Sequence, residues 1–425
     1  MGARAAAGVS RVPARPLYYA LSFARALAVG WVVFDLYLVR VLDFSPLELI
    51  LMGTAMEATI FVSEVPTGVV ADAYSRRLSF IIGVIGMGGA VIGVGLSSEP
   101  WLVIALWALW GLSYTFTSGA FEAWITDELG VENVGSVFLR GARFRIGGSL
   151  SGLLIFGAVG LVSLRAAVIG CGALEAAIGL ACIVLMPETG FRRKAGWVRE
   201  RALVELRRTA VSGFRYVRTQ TLVLLLVATE LFTGFGAEAF DRLTEAHVIR
   251  DVGFPAGLNP IVGFGTVSMV VMVFGFFAVG RVIRRVDRGG TPSVARLLAF
   301  FTLATIAGQI AFALGGNFWL VMAVFLAALL ARGLLAPLYT TWLNRQITDS
   351  SVRATVLSIS GQANAIGQAT GGPALGVIGN VFGIPAALVA GALTTLPAAA
   401  LYGRALRYGG MEPELRGLSA TARAG

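Results

Sequence analysis

Long apolar segments follow one another along the whole chain, and they limit the possible folds more than any other feature of the sequence. A helix that crosses a bilayer needs about 20 mostly apolar residues, and runs of that length recur from residue 17 to residue 405. Only 14% of the 425 residues are charged, whereas a soluble domain has about 25%. So few charges cannot cover a water-facing surface, and we therefore expect an all-α, polytopic membrane protein.

The apolar runs predict twelve transmembrane helices, six on each side of a polar, basic stretch. The predicted spans are 17–39, 47–70, 78–97, 101–126, 138–162, 164–186, 221–246, 261–282, 293–314, 318–343, 354–379 and 382–405. This order predicts an N-terminal six-helix half (1–186), a cytoplasmic basic linker (187–220) and a C-terminal six-helix half with a short tail (221–425). Several transporter folds are built from two such halves.

The basic residues indicate how the spans are oriented. Arg40, Arg165 and Arg250 are the only basic residues of one set of connections, whereas the opposite set, the linker and both termini hold nearly all the others. Because cytoplasmic loops are enriched in Arg and Lys, we expect both termini in the cytoplasm. Lys194 is the only lysine, a bias that suggests a GC-rich bacterial genome and hence the bacterial inner membrane. Topology explains the net charge of +10, so no nucleic acid is expected as a partner.

A ten-residue motif lies between the second and third predicted spans. Residues 68–77 read GVVADAYSRR, and this segment resembles the signature loop of the major facilitator superfamily, with Ser75 where a second Gly is usual. The resemblance implies a twelve-helix fold whose spans one, four, seven and ten line a central cavity, and a gating loop formed by Gly68, Asp72, Arg76 and Arg77. We expect Gly68 to permit a tight helix exit, and Asp72 to bond helix N-terminal amides or to pair with Arg76.

Three further segments are similar to members of this superfamily, and two of them point to bacterial drug/proton antiporters. Residues 187–189 (PET) end the sixth span, while 118–124 (SGAFEAW) and 353–358 (RATVLS) resemble drug-efflux members. Two departures leave coupling and direction open. Trp107 stands four residues before Gly111, where proton-coupled members often carry Arg, and the fifth span lacks the Gly-Pro pair of drug antiporters.

Ionisable residues inside the spans are costly for a membrane protein and therefore need a reason. Glu230, Asp35 and Glu57 are candidates for proton coupling, and Arg25 and Arg332 are candidate cavity residues that could alternately pair with Glu230. A permanent structural ion pair is the competing interpretation for each of them.

Two further expectations concern other charged residues. Glu175, on the sixth span, is expected to be peripheral and structural, and Glu238 is expected to pair with Arg242, with Asp241 and Glu245 on a solvated rim.

Two groups of uncharged residues complete the candidate site. Trp107, Trp110 and Tyr114 follow one another at three- and four-residue steps and form either a packing stripe or a binding wall. Gln362, Asn364 and Gln368 on the eleventh span either contact substrate or bridge helices. A cavity that combines aromatic surface with a few polar and charged groups suits a bulky, largely apolar solute.

The sequence also argues against several other classes of protein. Lys194 lies in the linker, so a phosphate-binding loop with its lysine is missing, and His247 is the only histidine. We therefore expect no cofactor, no metal site, no catalytic residues and no enzymatic activity, although a membrane-embedded enzyme or a sensor remains a weaker alternative. The function favoured is proton-coupled export of hydrophobic or amphipathic small molecules by a monomer whose partners are solute, protons and the bilayer. Import or facilitated diffusion of a small nutrient is the main alternative.

Overall fold

The computed structural model describes residues 13–191, 208, 211–349 and 352–405, and within this part of the chain it consists of helices and connecting turns without strands. The side chains of 276–293 are not described. In the N-terminal part the helices are α1 (Ala14–Ala28), α2 (Trp31–Arg40), α3 (Pro46–Ala73), α4 (Arg76–Leu96), α5 (Pro100–Thr117), α6 (Ala120–Leu129), α7 (Gly135–Val162) and α8 (Leu164–Leu185). Then follow α9 (211–219), α10 (Thr221–His247), α11 (Pro260–Leu314), α12 (Phe318–Gln346), α13 (Arg353–Phe382), α14 (Ile384–Thr394) and α15 (396–405).

Most of these helices have the length and composition needed to cross a bilayer. Ten helical segments qualify on both counts, and Pro260–Gly275, at the position of the eighth predicted span, is a shorter apolar helix. Helix α13 has 30 residues and carries polar residues in its middle, at the position of the eleventh span. The predicted fold, an all-α polytopic membrane protein of twelve transmembrane helices, is thereby confirmed.

The first and the fourth predicted spans are interrupted helices. The first span consists of α1 and α2, which are separated at Val29 and Gly30, and the fourth consists of α5 and α6. Gly119, between α5 and α6, has a φ of 72°, a left-handed conformation that glycine adopts without the steric cost of a Cβ atom. Broken helices occur at membrane depth where the backbone is enclosed by protein or lines a cavity, and both breaks adjoin cavities described below.

The region of the eighth and ninth spans departs from the prediction. A loop was predicted between 282 and 293, but the structure has one helix, α11, which runs without interruption over 55 residues. The intervening sequence is rich in Arg, a good helix former, which explains why the helix continues beyond the apolar run. The pair Gly289-Gly290 and Pro292 favour a break, and nothing in the structure explains why the helix continues through them.

The helices are grouped into two compact units. The first unit comprises Met1–Phe44 and Ala55–Trp197, and the second comprises Ser45–Thr54 and Val198–Gly425. The predicted half boundaries at residues 186 and 221 stay predictions, and most of the predicted linker and the tail beyond residue 405 lie outside the described residues.

Each unit contains helix pairs that glycine allows to approach closely. A Cβ atom at Gly148 of α7 would collide with the backbone of Phe23 in α1, and one at Gly367 of α13 would collide with the backbone of Leu231 and Phe235 in α10. Membrane helices commonly pack through such small residues. The two contacts position α1 in the first unit and join α10 to α13 in the second, and these three helices carry Arg25, Glu230 and Asn364 of the candidate site.

Candidate functional site

Each unit contains a cavity that holds residues predicted from the sequence. We call the cavity of the first unit the aromatic cavity; its lining includes Arg25, Trp31, Phe34, Trp107, Trp110, Tyr114 and Glu175. We call the cavity of the second unit the polar cavity; its lining includes Glu230, Thr305, Gln309, Arg332, Tyr339, Asn364 and Tyr402.

The wall of the aromatic cavity is a continuous series of rings. Trp107 stacks on Trp110 with ring centroids 5.2 Å apart, and Trp110 stacks on Tyr114 at 5.6 Å. From α2, Phe34 stacks on Trp107 at 4.3 Å, and Trp31 meets Trp110 edge to face at 6.0 Å. Trp107 is 1% exposed, whereas Trp31 is 46% and Tyr114 40% exposed. The predicted stripe is therefore packing at Trp107 and open ring surface at Tyr114.

An ion pair lies at the polar end of the aromatic cavity. Arg25 Nε is 3.1 Å from Oε1 of Glu175, and its guanidinium lies over the ring of Phe80 at 5.2 Å. Glu175 is 9% exposed, and its Oε2 has no hydrogen-bond partner among the described residues. Glu175 was expected to be peripheral because it lies on the sixth span, yet α8 presents it to the cavity.

Glu230 lies in the polar cavity beside a chain of side-chain amides. Asn364 Nδ2 donates to Oε2 of Glu230 over 2.8 Å, and Gln368 Nε2 donates to Oδ1 of Asn364 over 2.6 Å. Glu230 is half-buried, and among the described residues it has no cation within ion-pair distance. Within the described part of the chain, this carboxyl group therefore accepts one hydrogen bond, from a neutral amide.

The expected partnership of Arg332 with Glu230 is not present in this structure. Both terminal nitrogens of Arg332 donate to the carboxylate of Asp241, one of them over 2.7 Å. Asp241 is exposed, as expected for a residue on a solvated rim, and it lies on the face of α10 that carries Glu230, because residues 230 and 241 are three helical turns apart. The predicted pair of Glu238 and Arg242 is present, with Nε and Oε2 3.4 Å apart.

Hydroxyl groups surround the remainder of the polar cavity. The hydroxyl of Tyr339 is 2.6 Å from that of Ser360 and donates to the carbonyl of Leu226 over 3.2 Å. The hydroxyl of Thr229 donates to that of Tyr402 over 3.2 Å. These bonds tie α10, α12, α13 and α15 together around the cavity.

The predicted gating loop is held by acidic residues from other parts of the first unit. Arg76 is 3.6 Å from Asp72 and 2.8 Å from Asp127 of α6, and Glu188 accepts hydrogen bonds from the amide of Arg77 at 3.0 Å and from the hydroxyl of Ser75 at 2.7 Å. The hydroxyl of Ser75 also caps α4 by accepting a hydrogen bond from the amide of Leu78. The Gly that is usual at this position has no side chain that could accept this bond.

One expectation about this loop is wrong. Gly68 was expected to end a helix, but α3 continues to Ala73, so Gly68 lies within the helix and the tight exit is formed by residues 74 and 75. The pairing of Asp72 with Arg76, one of the two alternatives for that aspartate, is observed.

The remaining candidates lie elsewhere on the helices. Asp35 is half-buried on α2, Glu57 is half-buried on α3, and Gln362 is half-buried on α13. Gln362 precedes Asn364 by two residues and therefore points about 200° away from it around the helix. The structure brings Glu230, Asn364 and Gln368 together, and it brings Arg25 together with the three aromatic candidates.

Sequence reasoning missed Trp31, the position of Glu175 in the cavity and the pairing of Asp241 with Arg332. Trp31 is the first residue of α2, directly after the helix break at Gly30, and a break of this kind is the signal that could have found it. The other two features were missed because hydropathy locates a helix without determining its rotation.

Comparison with known proteins agrees with this architecture. Residues 18–309, more than half of the chain, match the sequence family described as Major Facilitator Superfamily. The MFS-type transporter YxaM of Bacillus subtilis (strain 168), itself uncharacterised, is 24% identical over 378 residues, which are 85% of this chain and 88% of YxaM.

Solved transporter structures share the fold at low sequence identity. The nucleoside transporter NupG superposes with a TM-score of 0.78 at 12% identity over 92% of this chain and 99% of NupG. A bacterial homologue of the human lysosomal transporter Spinster gives a TM-score of 0.71 at 16% identity, over 93% of this chain and 96% of the homologue. At these identities the likeness concerns the fold alone.

The helical fold and the cavities enclosed by its helices define a polytopic membrane protein of the transporter class. The chain belongs to the Major Facilitator Superfamily.

Proposed function

We propose that the chain exports hydrophobic or amphipathic small molecules across the bacterial inner membrane in exchange for protons, by alternating access. In this proposal the protein acts as a monomer with both termini in the cytoplasm, as the distribution of arginines favours, and it performs transport without catalysis. Membership of the superfamily supports transport as the class of activity. Drug efflux and proton antiport are the parts that we propose beyond it.

The observation that carries the proton-coupling proposal is the environment of Glu230. Ionisable residues inside membrane spans mark ion pathways and proton relays. Arg25 and Arg332 both have carboxylate partners of their own, whereas Glu230 is hydrogen-bonded to the amide of Asn364. An amide can accept from a neutral carboxyl group after rotation or donate to an ionised one, so this site accommodates either protonation state.

The test is substrate-driven proton movement in liposomes. Purified protein would be reconstituted with an entrapped pH-sensitive dye, and a panel of lipophilic compounds would be added to the wild type, to Glu230→Gln and to the control Glu99→Gln. Glu99 is an exposed carboxylate that directly precedes α5. We expect proton movement in the wild type and the control, and its loss in Glu230→Gln. Proton movement that survives in Glu230→Gln would transfer the role to Asp35 or Glu57.

A second candidate function is uptake or facilitated diffusion of a small polar nutrient. The hydroxyl and amide groups of the polar cavity favour this alternative, because such groups fix the orientation of polar solutes. NupG, which shares the fold, is a nucleoside transporter. Equilibration of one solute without any proton movement would favour this candidate over proton-driven export.

A further inference from the structure

The aromatic cavity contains a guanidinium whose terminal nitrogens are not engaged by the rest of the protein. Arg25 contacts Glu175 through Nε and Phe80 through its face, and within the described part of the chain its two terminal nitrogens make no hydrogen bond. The side chain of Arg25 is 24% exposed and lines the cavity. A guanidinium with free N–H groups is a preferred partner for carboxylates, which it binds in a bidentate manner.

The carboxylate of the same pair is less accessible to a solute. Oε1 of Glu175 is occupied by Arg25, and Oε2 has essentially no accessible surface. A solute that enters the cavity therefore meets the N–H groups of Arg25 before it meets the acid. Glu175 contacts the guanidinium through Nε and not through the terminal nitrogens, and its negative charge competes with that of a solute carboxylate.

The rings beside Arg25 define the rest of the solute. Trp31 and Tyr114 are strongly exposed and Trp110 is half-buried, so they present open ring surface to a flat molecule. Aromatic pairs are favourable beyond the area that they bury. A second space, which shares Arg25 and Tyr114 with the aromatic cavity, adds the exposed guanidinium of Arg145 and the carboxylate of Glu122.

From this geometry we infer that the aromatic cavity binds planar aromatic acids, with the solute carboxylate on the terminal nitrogens of Arg25 and the ring against Trp31, Trp110 and Tyr114. The inference deepens the proposed function and rests on it, because it names the class of solute that the transporter carries. Binding to the purified protein nevertheless needs neither a membrane nor a proton gradient, so it can be tested separately from coupling.

The experiment compares three probes that share one ring system and differ in charge: 2-naphthoate, neutral 2-naphthalenemethanol and 2-naphthylmethylammonium. Equilibrium dialysis against the full-length protein in detergent, with empty micelles subtracted, gives a Kd for each probe. A charge-assisted hydrogen bond distinguishes acid from alcohol by about tenfold or more, so we expect 2-naphthoate to bind at least that much more tightly than the other two. Equal binding of all three probes, or a preference for the ammonium, would overturn the inference.

Two variants at the ion pair have opposite expected effects. Arg25→Gln is expected to remove the preference for 2-naphthoate, and Arg25→Lys to retain part of it. Glu175→Gln frees the guanidinium from its competing carboxylate and is expected to strengthen binding of 2-naphthoate several-fold. If Arg25→Gln does not elute as a monodisperse protein, Arg25→Lys and Glu175→Gln still decide the matter. Weaker binding of the acid in Glu175→Gln would contradict the inference.

A matched pair of tryptophan variants tests the role of the rings. Trp31→Leu is expected to weaken all three probes by a similar factor of about three to ten, in line with aromatic contacts of this kind. Trp101, which is 71% exposed in the first turn of α5, provides the control, and Trp101→Leu is expected to leave all three Kd values unchanged. Equal effects of both variants would overturn the assignment of Trp31 to the site.

If the probes bind as expected while proton movement is absent in liposomes, the solute site stands and the coupling proposal fails. If proton movement is observed with other compounds but 2-naphthoate shows no preference, the coupling proposal stands and this inference fails.

Discussion

The aromatic cavity and the polar cavity each contain a carboxylate inside the membrane, yet the two carboxylates have different partners. Glu175 is paired with a guanidinium, whereas Glu230 is paired with a neutral amide. An ion pair stabilises the charged form of an acid, while an amide bonds the charged and the neutral forms alike. The comparison shows that the depth of an acidic residue in a span is not sufficient to make it a candidate proton carrier. The groups that contact its carboxylate decide whether both protonation states are accommodated.

The arginines of the two cavities differ in the same way. Arg332 is engaged by Asp241 through both terminal nitrogens, which leaves little of it for a solute. Arg25 is held by one nitrogen and keeps the rest of its guanidinium for the cavity. We therefore interpret the pair of Arg332 and Asp241 as structural and the pair of Arg25 and Glu175 as part of the solute site.

The largest expected effect comes from removing each ion pair as a whole. Replacing both partners of a buried ion pair by apolar residues is often neutral for stability, and a partly exposed pair such as Arg332 with Asp241 contributes little to stability, so function can be compared directly. We expect Arg25→Leu with Glu175→Leu to lower the initial rate of 2-naphthoate transport in liposomes by at least about tenfold, because the contact with the carboxylate is lost. Arg332→Leu with Asp241→Leu is expected to stay within about threefold of the wild type, since the pair it removes is structural. Equal losses of transport rate in the two double variants would contradict the distinction between a solute-binding pair and a structural pair.

A smaller effect is expected where glycine joins the helices of the polar cavity. Gly367→Ala places a methyl group against the backbone of Leu231 and Phe235, and overpacking of this kind costs about 1–3 kcal/mol. Thermal unfolding in detergent should show a lower Tm for this variant. Gly361 lies on the same helix with open space around it, so Gly361→Ala is the control and should keep or raise the Tm, because Ala in a helix is favoured over Gly by about 0.5–1 kcal/mol. An unchanged Tm in Gly367→Ala would mean that α10 and α13 can separate without cost.

The smallest effect is expected at a buried hydroxyl that has no partner among the described residues, Oγ1 of Thr305 in the polar cavity. Removing an unsatisfied polar group is nearly neutral for stability when the shape of the side chain is kept, so Thr305→Val should change the free energy of unfolding by less than about 1 kcal/mol. Chemical denaturation followed by circular dichroism measures this. A larger loss in this variant would show that the hydroxyl is hydrogen-bonded, for instance to a buried water.

The sequence was sufficient for the fold and for part of the site. Apolar runs determine where helices cross a bilayer, so the spans could be predicted closely, and Glu230 could be singled out because an acid within an apolar run is costly. Asn364 and Gln368 could also be predicted as candidate site residues, since they lie about one turn apart on α13 and therefore share a face.

Partner choice and helix continuity could not be predicted from the same information. Arg332 pairs with Asp241, 91 positions away, and only the rotation of α10 and α12 determines that pairing. Glu175 was discounted because of the order of its helix in the chain, although the position of a span does not determine which way its side chains point. The continuity of α11 and of α3 past Gly68 depended on backbone geometry, which residue propensities specify weakly.

The central claim is that the aromatic cavity binds the solute and Glu230 carries the proton. Calorimetric titration of 2-naphthoate into the purified protein, repeated in buffers of different ionisation enthalpy, measures the number of protons released for each solute bound. The account predicts release of about one proton by the wild type, as expected when one carboxyl group loses its proton on solute binding. It predicts none by Glu230→Gln, which should still bind the solute. Identical proton release by the two proteins would contradict the claim.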